Sequence, residues 1–146
     1  MLNLRKQLYT DSIYCLKIGA RAGQKVDQTR QESPEDRDES QRQAFLRCVE
    51  CRHPITRQTD RIAVNEKHQH VFANPHGYIY QIGCFGQAPG CVAIGQESSE
   101  FTWFPGYTWR VALCGQCLTL LGWSFRRRGS LFFGLILDKL AEDILQ

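Results

Sequence analysis

The chain has 146 residues, of which 42% are apolar, 11% aromatic and 23% charged. That is the make-up of one globular domain, and it excludes a collagen-like chain, a wholly disordered chain and a pair of large domains. Eighteen Lys and Arg against fifteen Asp and Glu give a formal charge of +3. A four-thiolate Zn²⁺ site would lower that to about +1, so the charge gives no reason to expect a nucleic-acid partner.

The opening MLNLRKQLYT carries Arg5 and Lys6 with no apolar core behind them, so it does not read as a secretory signal. Residues 1–23 have only scattered apolar positions, fitting a short helix or loose strand. Gln24 to Arg42 holds one aliphatic residue, Val26, and the tract QESPEDRDESQRQ. Such a stretch buries too little apolar surface to offset the entropy of ordering it. Residues 1–43 are therefore expected to be a loosely structured, partly disordered extension and charged linker, with a short helix just before Phe45 as the competing possibility.

Residues 44–146 differ in kind. They hold all three Trp, all eight Phe, six of seven Cys and ten of twelve Gly. Short apolar or alternating runs follow one another between Gly, Pro and Asn: RIAV, HVF, GYIYQI, CVAIG, YTWRVALC, GWSF and LFFGLIL. That spacing predicts an all-β domain of short strands. The closing DKLAEDILQ predicts a helical turn or two. The longest strongly apolar run, Leu131 to Leu137, is broken by Gly134 and falls far short of the ~20 residues of a spanning helix. No membrane partner is expected, and the expected compartment is the cytoplasm. In a reducing compartment cysteines serve as metal ligands or buried thiols rather than disulfides.

Two C-x-x-C pairs stand out, Cys48/Cys51 and Cys114/Cys117, with 62 residues between them. A two-residue gap lets both thiolates of a tight turn face one cation, and four such sulfurs satisfy tetrahedral Zn²⁺. The expected cofactor is a structural Zn²⁺ that staples the start of the β domain to a point near its end. Such a site is coordinatively closed, so no catalysis is assigned to it. Gly115 suits the tight turn of the second pair, and His53 is a spare ligand type beside a filled shell. Cys15, Cys84 and Cys91 remain, the last two in or beside apolar runs as small core residues.

All three Trp fall within the 21 residues from Trp103 to Trp123. Pro105-Gly106 between Trp103 and Trp109 signals a turn, which lets the two indoles face each other. Trp123 and Phe125 share a strand face. Three Trp in a small domain can be core filler; gathered around a turn, they can also form an open cage. A cage of indoles holds either a quaternary ammonium, by cation–π attraction, or a small neutral ring whose polar edge the backbone reads. Glu97 and Glu100 would help a cation.

Asn74-Pro75-His76-Gly77-Tyr78, Trp103-Phe104-Pro105-Gly106-Tyr107, Trp109, the Cys114/Cys117 pair and Gly122-Trp123-Ser124-Phe125 together resemble the thalidomide-binding (CULT) domain of the cereblon family. The likeness runs from about Phe45 to Leu137. It implies a β-tent, two antiparallel sheets meeting at the zinc, and a non-catalytic module that binds cyclic imides. The implied ligands are glutarimide and succinimide rings, thalidomide-type drugs, uracil-like compounds and cyclic imides at protein C-termini. By the same resemblance Trp103, Trp109 and Trp123 match the cage walls, Phe125 its floor, and Asn74 and Pro75 the loop that closes over the ring. The main chain at Phe101 and Trp103 matches the bonds to the imide edge. Phe101 departs from the family pattern, which has His there. Nothing in residues 1–43 resembles the family's Lon-like or adaptor-docking regions. A stand-alone, bacterial-type member is implied, with no ubiquitin-ligase adaptor expected.

Two other readings compete with imide binding and with the ammonium cage. A methionine sulfoxide reductase-type zinc β-domain would need a nucleophilic Cys near the C-terminus. No Cys follows Cys117, leaving only Cys84 or Cys91 for that role. Arg126-Arg127-Arg128 could hold phosphates, but three exposed Arg at a turn between strands is the simpler account. Tyr107 and His76 are expected to fix loops through hydrogen bonds, and His68 and His70 to lie on the surface.

Overall fold

The computed structural model describes residues 44–143. The expectations for the extension, for a helix before Phe45 and for Cys15 lie outside them. Nine strands form two antiparallel sheets. The small sheet joins β1 (Phe45–Cys48), β2 (Pro54–Arg57) and β9 (Leu140–Glu142) in the order β2-β1-β9. The large sheet contains β3 (Gln69–Ala73), β4 (Ile79–Phe85), β5 (Cys91–Ser98), β6 (Thr108–Cys114), β7 (Leu120–Arg127) and β8 (Ser130–Ile136). Its order is β3-β4-β8-β7-β6-β5. Among the described residues no helix is long and apolar enough to cross a membrane.

Most of the apolar runs became strands, because alternation places every second side chain against a core. RIAV did not. Arg61 and Val64 make only isolated bridges, and Asn65 and Glu66 turn the chain with φ of 50° and 67°. Two adjacent residues with positive φ build a tight reversal, too close to RIAV for a longer ladder. At the far end Leu137–Lys139 form a single 3-10 turn, and the next residues pair with β1 as β9 instead of extending a helix. Arg47 Nε bonds Asp143 Oδ1 at 2.6 Å, and Arg61 Nη2 bonds Glu142 Oε1 at 3.0 Å, fastening that last strand.

The core of the described residues has two clusters, one between the sheets and one built on the large sheet alone. Leu46, Cys48, Ile55, Phe85, Cys114, Leu121 and Leu135 fill the space between the sheets at the cysteine end. Ile82, Cys84, Phe104, Phe125, Phe132 and Ile136 form the second, under the tryptophans. Gly90 brings the sheets together. Its N–H donates to Ile55 O at 3.0 Å, while its carbonyl accepts from Gly115 N at 2.8 Å. A Cβ on Gly90 would stand 2.0 Å from Pro54 O, so only glycine permits the approach that sets the cysteine turns face to face.

The arginine triplet is exposed as expected, but Arg126 and Arg127 end β7 and only Arg128 lies in the turn. Arg127 pairs with Ser130 across a two-residue Arg128-Gly129 loop. Arg126 Nε meets Glu97 Oε1 at 3.1 Å, and the Arg127 guanidinium lies 4.8 Å from the centre of the Tyr107 ring.

Candidate ligand cage and metal centre

The two cysteine turns are near copies of each other. Cys48 closes β1 and Cys114 closes β6. Four residues on, Arg52 and Leu118 take φ of 64° and 63°. Their N–H groups donate to Cys48 O at 2.9 Å and Cys114 O at 3.0 Å. The N–H groups of Cys48 and Cys114 in turn reach His53 O and Thr119 O. The left-handed residue that closes the second turn is thus Leu118, not Gly115 as the sequence suggests. Gly115 is needed for room: its Cβ would meet Gly90 O at 2.9 Å.

Four sulfurs converge, all within 4.8 Å of one another. Cys48 Sγ lies 3.7 Å from Cys117 Sγ, and Cys51 Sγ 3.6 Å from Cys114 Sγ. Tetrahedral Zn²⁺ with Zn–S of about 2.3 Å requires S···S of about 3.8 Å, so the donor set fits such an ion. His53 is outside the cluster and serves through its main chain. The Thr119 hydroxyl and N–H hold the Cys117 thiol down to about 6. Cys51 is pushed up to about 12: the His53 N–H pulls it down, but burial and the three neighbouring thiols outweigh that. Crowded thiols resist ionising together, and a cation among them removes the conflict. The four cysteines can therefore bind a metal ion.

Cys84 and Cys91 stand apart from this chemistry. Burial pushes Cys84 up to about 12, and burial together with the charges of Cys114 and Cys48 does the same to Cys91. A thiol so poised is almost wholly protonated at neutral pH and a poor nucleophile. We expect iodoacetamide at pH 7.5 to leave Cys84 unlabelled in the folded protein and to label it after denaturation, as read by peptide mass. Rapid native labelling of Cys84 would reopen the reductase reading.

The cage is built on the turn predicted at Pro105-Gly106. Tyr107 N donates to Phe104 O at 3.0 Å, and Gly106 has φ of 85°, as a type II turn requires. Phe104 pins this turn to the core. It is 1% exposed and meets Phe125 and Phe132 edge-on at 4.8 and 5.0 Å. Trp103 stacks on Phe72 at 5.1 Å and crosses Trp123 at 4.7 Å and 72°. Trp123 is braced behind by Tyr80 at 5.1 Å. Trp109 forms no stacked or edge-on pair with another described aromatic; it packs at the margin of the second core cluster, and its indole N–H donates to Glu100 O at 2.8 Å. The Trp103 indole N–H donates to Ala73 O at 3.1 Å.

A cavity of about 470 Å³ opens between these walls, lined by Trp103, Trp109, Trp123, Phe101, Phe125, Asn74, Pro75 and His76. Every expected cage residue is there. His76 is an addition: its main-chain N–H, not its ring, ties the loop, donating to Asn74 Oδ1 at 3.0 Å. Tyr78 N donates to the same oxygen, so only the Asn74 NH₂ is left for a ligand. Tyr107 does fix a loop, its hydroxyl lying 3.2 Å from Ser130 Oγ. Phe72 and Tyr80, which back the indoles, were missed. The paired register Phe72↔Tyr80 and His70↔Ile82 puts them on one face, and the alternation in QHVFA and IYQI is the signal that could have found them. His70 stacks on Phe72, and His68 meets Phe85 edge-on, so both are packed rather than superficial.

No acidic residue lines the cavity. Glu97 is turned to Arg126 and to the Thr108 hydroxyl, which donates to it at 3.0 Å. Glu100 contributes its main chain: the carbonyl accepts from Trp109, and the N–H donates to Ser98 Oγ at 3.1 Å. Next to it Phe101 takes φ of 54°. Among the described residues, the N–H and C=O of Phe101 and the N–H of Trp103 bond to no other group. The site thus joins apolar flat walls to an unpaired donor and acceptor on one edge.

Fold and site together define a tent-like β domain: two antiparallel sheets joined at a four-cysteine cluster that can bind a metal ion, with an aromatic cavity on the large sheet. No family model matches the chain. It is similar to proteins named cereblon: 39% identical over 55 residues to that of Danio rerio, covering 38% of this chain and 13% of that protein. Against the Gallus gallus protein it is 41% identical over 55 residues, 38% of this chain and 12% of the relative. Against the Drosophila virilis protein it is 30% identical over 102 residues, 64% of this chain and 16% of the relative. The chain is thus similar to a part of these cereblon proteins, and the matches span less than a fifth of those relatives' own length.

Proposed function

We propose that residues 44–146 form a non-catalytic receptor for cyclic imides, with Zn²⁺ as its structural metal and no bond made or broken in the ligand. The carrying observation is the pairing of three indoles with the unsatisfied main chain at Phe101 and Trp103. A six-membered imide presents two flat faces, one N–H and two carbonyls. Trp103, Trp109 and Trp123 cover the faces and rim, with Phe125 beneath. The Phe101 carbonyl accepts the imide N–H, and the N–H groups of Phe101 and Trp103 donate to a ring carbonyl. Asn74 and Pro75 close one side. The ligand classes are those the resemblance implies: glutarimide, succinimide, thalidomide-type and uracil-like rings, free or at a protein C-terminus.

The absence of a lining carboxylate favours a neutral ring over a quaternary ammonium. An indole socket for a cation gains from a facing acid; the Glu97 carboxylate is taken up by Arg126 and Thr108, and Glu100 is not among the residues lining the cavity. What the relatives assemble with stays with those proteins.

The test is competition in solution. Glutarimide should quench tryptophan fluorescence with micromolar affinity: eight heavy atoms at about −1 kcal/mol each give about −8 kcal/mol. N-methylglutarimide, which lacks the donor, should bind at least ~10-fold more weakly, since the Phe101 carbonyl, covered by the bound ring, is left unpaired. Equal affinity for the two would rule out the imide contact. Saturable quenching by tetramethylammonium at lower concentration would assign the cage to cations instead.

A further inference from the structure

The β7–β8 turn borders a groove that shares no lining residue with the indole cavity. Its volume is about 620 Å³, and Arg126, Arg127 and Arg128 line it with Glu97 as the one carboxylate. Three guanidinium groups against one acid leave two positive charges in excess. Glu97 is committed to Arg126 at 3.1 Å, and among the described residues neither Arg127 nor Arg128 has an acidic partner. Like charges gathered in a concave surface concentrate anions there.

The Arg127 guanidinium is held in place. It lies over the Tyr107 ring at 4.8 Å from its centre, and the Tyr107 hydroxyl is 3.2 Å from Ser130 Oγ. A guanidinium over an aromatic face still has N–H groups to offer an anion. Gly106 and Gly129 also line the groove, and a Cβ on either would meet nothing within 4 Å. Open backbone thus borders the charged turn on both sides.

A second cavity of about 480 Å³ adjoins the groove and shares Arg127, Ser130 and Leu131 with it. Its lining is mixed. Ile62, Val64, Pro105 and Phe132 supply apolar walls, and Asn65 and Tyr107 bring polar groups. The wall at residues 62–65 is fixed: Val64 and Lys67 exchange main-chain bonds of 2.9 and 3.2 Å, and Ile62 N donates to Cys84 O at 3.0 Å. An apolar slot with polar edges suits a flat heterocycle, and it opens directly onto the cationic groove.

We propose that groove and slot together bind a mononucleotide, with its diphosphate on Arg127 and Arg128 and its base between residues 62–65 and the 105–107 turn. The site is independent of the imide reading. Phosphate is favoured over carboxylate because a guanidinium fork grips a phosphate with two parallel bonds, and a diphosphate brings enough negative charge in one small group to match the excess. A nucleic-acid strand is disfavoured, since the excess is confined to one turn of a chain whose formal charge is only +3.

The experiment is calorimetry on the Zn²⁺-loaded full chain, with ADP, pyrophosphate and adenosine as probes. ADP should bind with Kd of about 100 µM at about 0.05 M salt and about tenfold more weakly at about 0.3 M salt, because exposed charges are screened. Pyrophosphate should bind more weakly than ADP, and adenosine most weakly of the three. Arg128→Gln should weaken ADP about fivefold, and Arg127→Gln with Arg128→Gln at least about tenfold, with adenosine unaffected. Arg128 is exposed in the turn, so its variant should keep the native melting temperature and report on binding alone. No binding of ADP, or equal ADP affinity in the native protein and Arg128→Gln, would overturn the site. Adenosine as tight as ADP would overturn the role of the arginines, and pyrophosphate as tight as ADP would overturn the base slot. Hexaglutamate or a single-stranded oligothymidylate that binds more tightly than ADP would overturn the nucleotide reading in favour of an acidic peptide or a nucleic acid.

Discussion

Trp109→Ala should abolish the fluorescence response to glutarimide while leaving the domain folded. Among the three indoles, Trp109 is the one whose removal separates binding from structure. Trp103 is stacked on Phe72 and crossed by Trp123, so truncating either opens a hole in the aromatic cluster. Trp109 forms none of the stacked or edge-on ring pairs; it packs at the margin of the Phe104–Phe125–Phe132 cluster, and its indole N–H donates to Glu100 O. Its loss removes one wall of the cage and also frees the main chain that carries Phe101. A buried tryptophan at a binding centre is worth about 2 kcal/mol or more, so affinity should drop some 30-fold or more. The melting temperature should move by a few degrees only. Titration of native and variant proteins side by side gives the answer, with Trp103 and Trp123 still present to report. Matching quenching curves would show that the indoles do not surround the ligand.

Removing the metal should unfold residues 44–143. Structural Zn²⁺ contributes on the order of 10 kcal/mol in small zinc domains, comparable to the whole stability of an ordinary domain. Here the four sulfurs tie the end of β1 in the small sheet to the end of β6 in the large one, at Cys48 and Cys114, both fully buried. Without the ion, the crowded thiols cannot all ionise together and are left packed against one another with no cation to hold them. Strong chelation, or Cys114→Ser, should therefore erase the β-type circular dichroism, and Zn²⁺ should restore it only in the native sequence. Acidification acts the same way. The ligands bind metal as thiolates, so protons compete more strongly as pH falls, and metal release should accompany unfolding on the acid side. Persistence of the sheet spectrum with less than 0.1 equivalent of bound metal, on the order of background, would contradict a structural role.

How far the sequence foretold this arrangement depends on which physical signal each part carries. The four-cysteine cluster was legible from spacing, because two C-x-x-C pairs in one chain favour a shared cation over separate redox motifs. The strands were legible where alternation was long, as in Thr108–Cys114, and failed at RIAV, where a tight turn at Asn65-Glu66 intervenes. The cage walls were legible as a cluster around Pro105-Gly106. Their supports were not, because Phe72 lies about 30 residues from Trp103 and Tyr80 about 40 from Trp123, and the β3–β4 pairing is what brings them there. Glu97 and Glu100 show the converse: closeness in sequence to the tryptophans suggested a charged socket, and the bulged β5 edge turned one carboxylate to Arg126 instead. Leu118 and Phe101 could not be foreseen at all, since nothing in residue type announces a left-handed leucine or phenylalanine.

The wide interval between the cysteine turns has a consequence for biosynthesis. Cys48 and Cys51 leave the ribosome well before Cys114 and Cys117, at about 5–20 residues per second, so for several seconds the nascent chain carries half a coordination shell. Neither sheet can be completed in that interval either, because β9 must return to β1 and β8 to β4. Assembly is accordingly a late, all-at-once event governed by long-range closure. The early thiols meanwhile depend on a reducing milieu and on the timely arrival of metal. Oxidant stress or zinc scarcity during translation would strike this domain harder than either would once it is complete.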